Sequence, residues 1–198
     1  MAIDADGAYR AYHPVSAKGL DNLGNAGRPG NWWALVTDSG EASGNPLTQK
    51  DTDPAPGYYI STTSLQDGSK SRTDPRRYVD SESIPYIVLP SNGRFGAGKG
   101  DLAVAIHVED GRCCGAVFAD VGPRDKIGEG SIALADALGI PSNPRKGGID
   151  QGIAYVVFPG SSAGWPKSAE TVKRNAEARF AEWGGLARLR AVFPEMSE

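Results

Sequence analysis

The sequence predicts a mainly β domain with a few helices: six or seven short strands in a small β-barrel, with long loops and a C-terminal helix. Three observations carry this. Short runs rich in Val, Ile and aromatic residues recur along the chain and are separated by turn residues. Twenty-six glycines and fourteen prolines in 198 residues give the turns that such short strands need. Only two stretches carry a helical period, so helices decorate the strands rather than alternate with them. The length fits one domain spanning 1–198, long enough to bury a proper core.

Taken in order, residues 1–30 lack periodicity and read as an ordered arm with turns. Residues 31–37 (NWWALVT) are the first strand and 57–63 (GYYISTT) the second, joined by a polar loop ending in Asp53-Pro-Ala-Pro56. A third strand, 84–89, carries Pro85, which lacks an N–H for the ladder and so places it at a sheet edge or at a strand start. After a glycine loop at 92–100, strands at 102–108 and 112–119 flank Glu109-Asp110-Gly111, a tight hairpin signal. A short helix is expected at 131–138. The apolar run 153–158 reads as a buried strand. The longest helix covers 168–183, with Val172, Ala176, Phe180 and Trp183 on one stripe and Gly184-Gly185 as its stop.

Several function classes are excluded or left without support. A net charge of −3 with no basic patch gives no sign of nucleic acid binding, and no apolar window is long enough for a transmembrane helix. Cys113 and Cys114 are neighbours and point to opposite faces of a strand, so they supply neither a disulfide framework nor a metal cluster. The loop 93–100 nearly matches a phosphate-binding loop, but Gly100 stands where Ser or Thr should hold magnesium, and a strand follows instead of a helix. His13 and His107, the only histidines, lack the spacing of a zinc site and have no nucleophile elbow beside them. His13 is expected in a loop and His107 packed in the sheet. No metal and no organic cofactor is expected.

What remains is carboxylates and aromatics. Asp120 stands at the mouth of a strand and Glu129 between two glycines at a helix entrance, nine residues on. Such a pair suits glycosidic hydrolysis, in which one carboxyl protonates the leaving oxygen and the other activates water. The same positions also suit a turn residue and a helix-dipole partner. Trp32, Trp33, Tyr58 and Tyr59 form two doublets in which one ring faces the core and its neighbour is free to stack on a sugar. Asp4 and Asp6, in Asp-Ala-Asp-Gly, lack the other ligands of a calcium loop and read as a turn or as contacts for a sugar amine.

With these residues laid out, the chain resembles the glycoside hydrolase family 75 chitosanases. The resemblance runs through Asp4-Ala-Asp-Gly, Ala11-Tyr-His-Pro, Gly30-Asn-Trp-Trp, the segment 53–63, Asp74-Pro-Arg-Arg-Tyr-Val-Asp80, Ile84-Pro-Tyr, and Asp120-Val-Gly-Pro with Ile-Gly-Glu129, about three-quarters of the chain. It implies an endo-acting hydrolase of β-1,4-linked glucosamine polymers (chitosan), secreted, inverting at the anomeric carbon, with Asp120 and Glu129 as its carboxylates. The segment from Asp120 also resembles double-psi β-barrel proteins, an analogy that agrees with the strand count. One departure is that residues 1–7 lack the basic and then apolar pattern of a secretion signal.

On that resemblance Glu129 is expected as acid and Asp120 as base, with the reverse assignment open. A polycationic substrate asks for further acidic groups, for which Asp4, Asp6 and Asp38 are candidates, with Trp32, Trp33 and Tyr58 as stacking contacts. A monomer is expected. The rival readings are a peptidoglycan-cleaving muramidase or lytic transglycosylase on the same barrel, and a non-catalytic, expansin-like carbohydrate-binding barrel.

Overall fold

The computed structural model describes residues 1–124, 126–162, 164–166 and 168–194. In chain order its regular elements are β1 (Ala2–Asp4), β2 (Gly27–Arg28), β3 (Asn31–Trp32), β4 (Tyr86–Pro90), β5 (Leu102–His107), β6 (Cys113–Gly122), β7 (Glu129–Ser131), α1 (Ile132–Leu138), β8 (Ile153–Phe158), α2 (Ala169–Trp183) and α3 (Gly185–Val192). Six strands form one mixed sheet in the order β1-β7-β4-β6-β5-β8, and β2-β3 is a separate two-stranded ribbon.

The sheet is mainly built from apolar strands because both of its faces are covered. On one face α1 packs Leu134, Ala135 and Leu138 against Ile87, Phe118 and Ala103. On the other, α2 lays Val172, Ala176 and Phe180 over Val117, Val104 and Ile106. Strands buried on two sides read as continuous apolar runs rather than alternating ones, which is the pattern of β4 and β5. Gly115 in β6 lets α2 come close: a Cβ there would lie 2.5 Å from the backbone oxygen of Lys173.

The expected barrel is not closed. The sheet is open, with β1 and β8 as its edges, although it curls enough for the Tyr155 hydroxyl on β8 to reach the backbone oxygen of Glu129 on β7 at 3.0 Å. The strand with Pro85 is central rather than at an edge: Pro85 precedes β4, which pairs with β6 on one side and β7 on the other. β8 lies at the edge and is half-buried. Glu129 opens a strand, not a helix entrance; α2 ends at a left-handed Gly184 as expected, and a further helix, α3, then starts at Gly185.

The largest departure concerns 31–37 and 57–63, which are not strands apart from Asn31–Trp32. They meet through the isolated bridge Leu35–Ser61, and Tyr59 bridges to Thr48 in the loop between them. Scattered backbone bonds replace a regular ladder there, among them Val36 N to Ile60 O, Thr62 N to Ala34 O and Ile60 N to Leu47 O, and side chains add to them. The buried Gln49 amide donates to Tyr9 O and Tyr59 O and accepts from Ala55 N, while Arg72 donates to the carbonyls of Thr37 and Asp38. This irregular lobe docks on the sheet through Val79, which packs with Tyr86 and Val88.

Replacing Gly115 with alanine forces α2 off β6, because the blocking atom is backbone and cannot swing away. Overpacking of this kind costs about 1–3 kcal/mol. The expected fall in Tm is roughly 3–10 °C for a chain of this size, read by thermal unfolding.

Candidate active site

The register of the sheet decides where the carboxylates point. Strand β6 runs Phe118, Ala119, Asp120 against only Ile87 and Val88 of β4, so Ala119 is an extra residue and the pairing shifts there. Phe118 faces the α1 side of the sheet, and simple alternation would send Asp120 after it into that core. The bulge turns Asp120 to the opposite face instead, level with Val88. On its other side Val88 pairs with Glu129, and Glu129 pairs with Ala2. Asp120, Val88, Glu129 and Ala2 thus form one row across four strands. Asp4, two residues beyond Ala2, lies on the same face.

This face and the irregular lobe enclose a cleft of about 680 Å³ lined by Asp4, Asp6, Asp21, Trp33, Asp120 and Glu129 among others. Its outer wall, at 144–147, is tied down by Arg145, whose guanidinium donates to the carbonyls of Ser16, Gly19, Leu20 and Asp21 and to the Asn22 side chain. The larger groove, about 860 Å³ between β8 and α2–α3, is apolar and lies elsewhere, along Val156, Phe158, Trp183 and Phe193.

Within the cleft the two carboxylates are held differently. Asp120 is nearly buried, at 8% exposure, and its Oδ1 accepts from the Ser64 amide at 2.9 Å, the Ser64 hydroxyl at 2.6 Å and the Val121 amide at 2.8 Å. Burial raises its pKa, those hydrogen bonds lower it, and the nearby Glu129 charge raises it; the net result is upward. Glu129 leans toward β6, with Oε1 at 2.7 Å from the exposed Lys126 ammonium. Its Oε2 lies 3.0 Å from where a Cβ on Gly122 would sit, so the glycine of Asp120-Val-Gly-Pro leaves the space that Glu129 occupies.

A third and a fourth carboxyl complete the site. Oxygens of Asp4, Asp6 and Asp120 all lie within 4.8 Å of one another, the one grouping among the described residues with the spacing of a cation site. Three oxygen ligands of this kind suit a hard cation. Asp4 Oδ1 accepts from the Asp6 amide, and Asp6 Oδ1 accepts from the Tyr12 hydroxyl at 2.7 Å. Burial, then the charge of Asp120, pushes the Asp4 pKa up to about 8. Burial and the charge of Asp4 also push Asp6 well above the usual carboxylate range. Among the described residues no cationic side chain pairs with either Asp4 or Asp6.

Of the residues singled out from sequence, Asp4, Asp6, Trp33, Asp120 and Glu129 meet in the cleft. Trp33 is 59% exposed, its indole N–H bonded to Asn25 O, whereas Trp32 is buried in the lobe's own core and offers no sugar-facing surface. Tyr58 lies outside the cleft lining, edge-on to His13 with its hydroxyl on Lys18 O. Asp38 is also outside, closing a turn by accepting from Ser39 and Asn45. His13 is in a loop, His107 is buried at the end of β5, and both cysteines are free. Asp21, Ser64 and Lys126 were missed, since single polar residues in loops carry no spacing signal.

The raised Asp4 pKa has a consequence for stability. In the unfolded chain this carboxyl ionises near 3.8, and in the folded protein only at about 8. Its stabilising share is full below the lower value and is lost as pH rises through the window between them. Asn at this position does not titrate, so the Tm of Asp4→Asn relative to the parent should climb steadily from pH 4 to pH 8. A constant difference across that range would show that Asp4 ionises normally.

No helix among the described residues is long and apolar enough to cross a membrane. None of the curated proteins compared with the chain matches it. The family described as fungal chitosanase of glycosyl hydrolase group 75 matches residues 1–184, a span that holds the whole row of carboxylates, the cleft and α2. The chain belongs to that family, and is a glycoside hydrolase of the chitosan-hydrolysing kind.

Proposed function

We propose that the protein is an endo-acting, inverting chitosanase that cleaves β-1,4 linkages between glucosamine units, with Glu129 as general acid and Asp120 as general base. The observation that carries this reading is the row Asp120–Val88–Glu129. Two ladder spacings separate the outer strands of that row by about 9.5 Å. Inverting enzymes need their carboxyl groups roughly 6.5–9.5 Å apart to leave room for water beside the sugar, and retaining enzymes need them closer. That strand spacing supports the inverting reading, with the longer Glu129 side chain leaning back toward β6.

The roles follow from the surroundings of each group. Three donors on Asp120 Oδ1 favour its ionised form and leave Oδ2 without a partner among the described residues, turned to the water it deprotonates. Glu129 reaches over Gly122 at the end of a longer side chain and is held by a flexible lysine, which a glucosamine ammonium group entering the cleft displaces. To act as the acid, Glu129 takes up a proton from solvent once the lysine is displaced. It gives this proton to the glycosidic oxygen as the bond to the anomeric carbon breaks, and is left as the carboxylate, while Asp120 accepts the proton of the attacking water.

The acidic lining suits a polycation. Ammonium groups of the polymer pair with Asp21, Asp4 and Asp6 and counter the upward pKa shifts of the last two, favouring their ionised forms. Trp33 offers a face for stacking one sugar ring. The protein acts as a secreted monomer on a polymer that cells cannot import.

Reducing-end release from highly deacetylated chitosan tests the reading. Glu129→Gln and Asp120→Asn should each lower turnover by roughly 10²–10⁴-fold while the protein stays folded. Activity on peptidoglycan with chitosan untouched would overturn the substrate, and two fully active variants would overturn the mechanism. Gly122→Ala should push the Glu129 carboxylate aside and cut turnover about 10- to 100-fold, with a modest fall in Tm because the buried Val88 Cγ1, also 3.0 Å from the added Cβ, has to shift as well.

A further inference from the structure

The geometry points to Ser64 as a positioning residue for the reaction: its hydroxyl and amide clamp one oxygen of Asp120, fixing the carboxylate's aim and holding it ionised as base. This rests on the reading of Asp120 as the base. Ser64 lies in the irregular lobe, 56 residues before Asp120, and no sequence motif joins the two.

Three contacts make the clamp. The Ser64 hydroxyl donates to Asp120 Oδ1 at 2.6 Å and the Ser64 amide donates to the same oxygen at 2.9 Å. The hydroxyl oxygen also accepts from the Val121 amide at 3.3 Å. That incoming N–H leaves the hydroxyl hydrogen only the carboxylate to point at. The next residue, Leu65, donates its amide to Ala119 O at 2.8 Å, so the loop is fastened to the bulge itself. Short bonds from O–H to a carboxylate are among the stronger hydrogen bonds in proteins.

The clamp opposes its surroundings. Asp120 is faced by Asp4 and Asp6 from β1 and the turn after it, by Glu129 from β7, and by the Tyr86 phenol from β4. Lys126 lines the same cleft but spends its ammonium on Glu129. Burial and the Glu129 charge favour the protonated form of Asp120, in which it accepts no proton from water. Ser64 provides the largest opposing influence. With the hydroxyl removed, Asp120 ionises at higher pH, and the acidic limb of the pH–rate profile, which reports the base, moves up.

The experiment measures kcat and KM on water-soluble glucosamine oligosaccharides between pH 3.5 and 8 for the parent, Ser64→Ala, Ser64→Thr and Asp120→Asn, with Tm beside each. In Ser64→Ala kcat should fall by about 10-fold. Its KM should stay within about twofold and its acidic limb should rise by about one pH unit. Ser64→Thr keeps the hydroxyl, and its limb should stay at the parent position. An unmoved limb in Ser64→Ala overturns the inference. So does a limb that moves equally in Ser64→Thr, because the effect would then come from the loop and not the hydroxyl. Asp120→Asn at parental turnover removes the base assignment and the inference together. An inactive Asp120→Asn beside an unmoved Ser64→Ala limb removes only the role of Ser64.

Discussion

One extra residue in one strand organises the functional half of this protein. The bulge at Ala119 puts two residues of β6 opposite Val88 and rotates Asp120 out of the α1-side core into the cleft. Without it, the carboxylate would be sealed among Phe118, Leu134 and Ile87, where an ion without a partner is intolerable. The row from Asp120 to Ala2, the overhang of Glu129 above Gly122 and the docking of the 64–65 loop all take their position from that irregularity. Bulges concentrate where a sheet must aim one side chain against its own alternation.

The site also shows how a cleft for a cationic polymer can be acidic without self-destructing. Four of its carboxyls crowd together with little basic compensation, and the lysine and arginine nearest to them serve Glu129 and the loop carbonyls. Burial and the neighbouring negative charges push the pKa values of Asp4 and Asp6 up, which lowers the cost of placing these groups side by side.

How much of this was legible beforehand divides along a physical line. The central strands and α2 follow from apolar runs and from the stripe Val172–Ala176–Phe180, since these signals are local. The carboxylates were legible as types in a recognisable pattern, though not as a row, because a bulge leaves no mark in a single sequence. The segments 31–37 and 57–63 misled because their β-branched and aromatic residues have strand propensity, while their backbones bond each other and neighbouring loops only at scattered points, with Gln49 and Arg72 adding donors from a distance. Ser64 was invisible for the same reason: its meaning lies in a residue 56 positions away. The two tryptophans were ambiguous as a doublet, and only packing separates buried Trp32 from open Trp33.

The single guanidinium of Arg145 joins a segment late in the chain to carbonyls more than 120 residues earlier. Contacts so distant in sequence carry the heaviest loop-closure entropy, and wall segments made of loops have few apolar neighbours to hold them otherwise. The sheet, with its two covered faces, is the robust part of the molecule, while the cleft is closed by a rivet. Losing that one guanidinium would loosen the wall of the cleft while leaving the two-faced packing of the sheet in place.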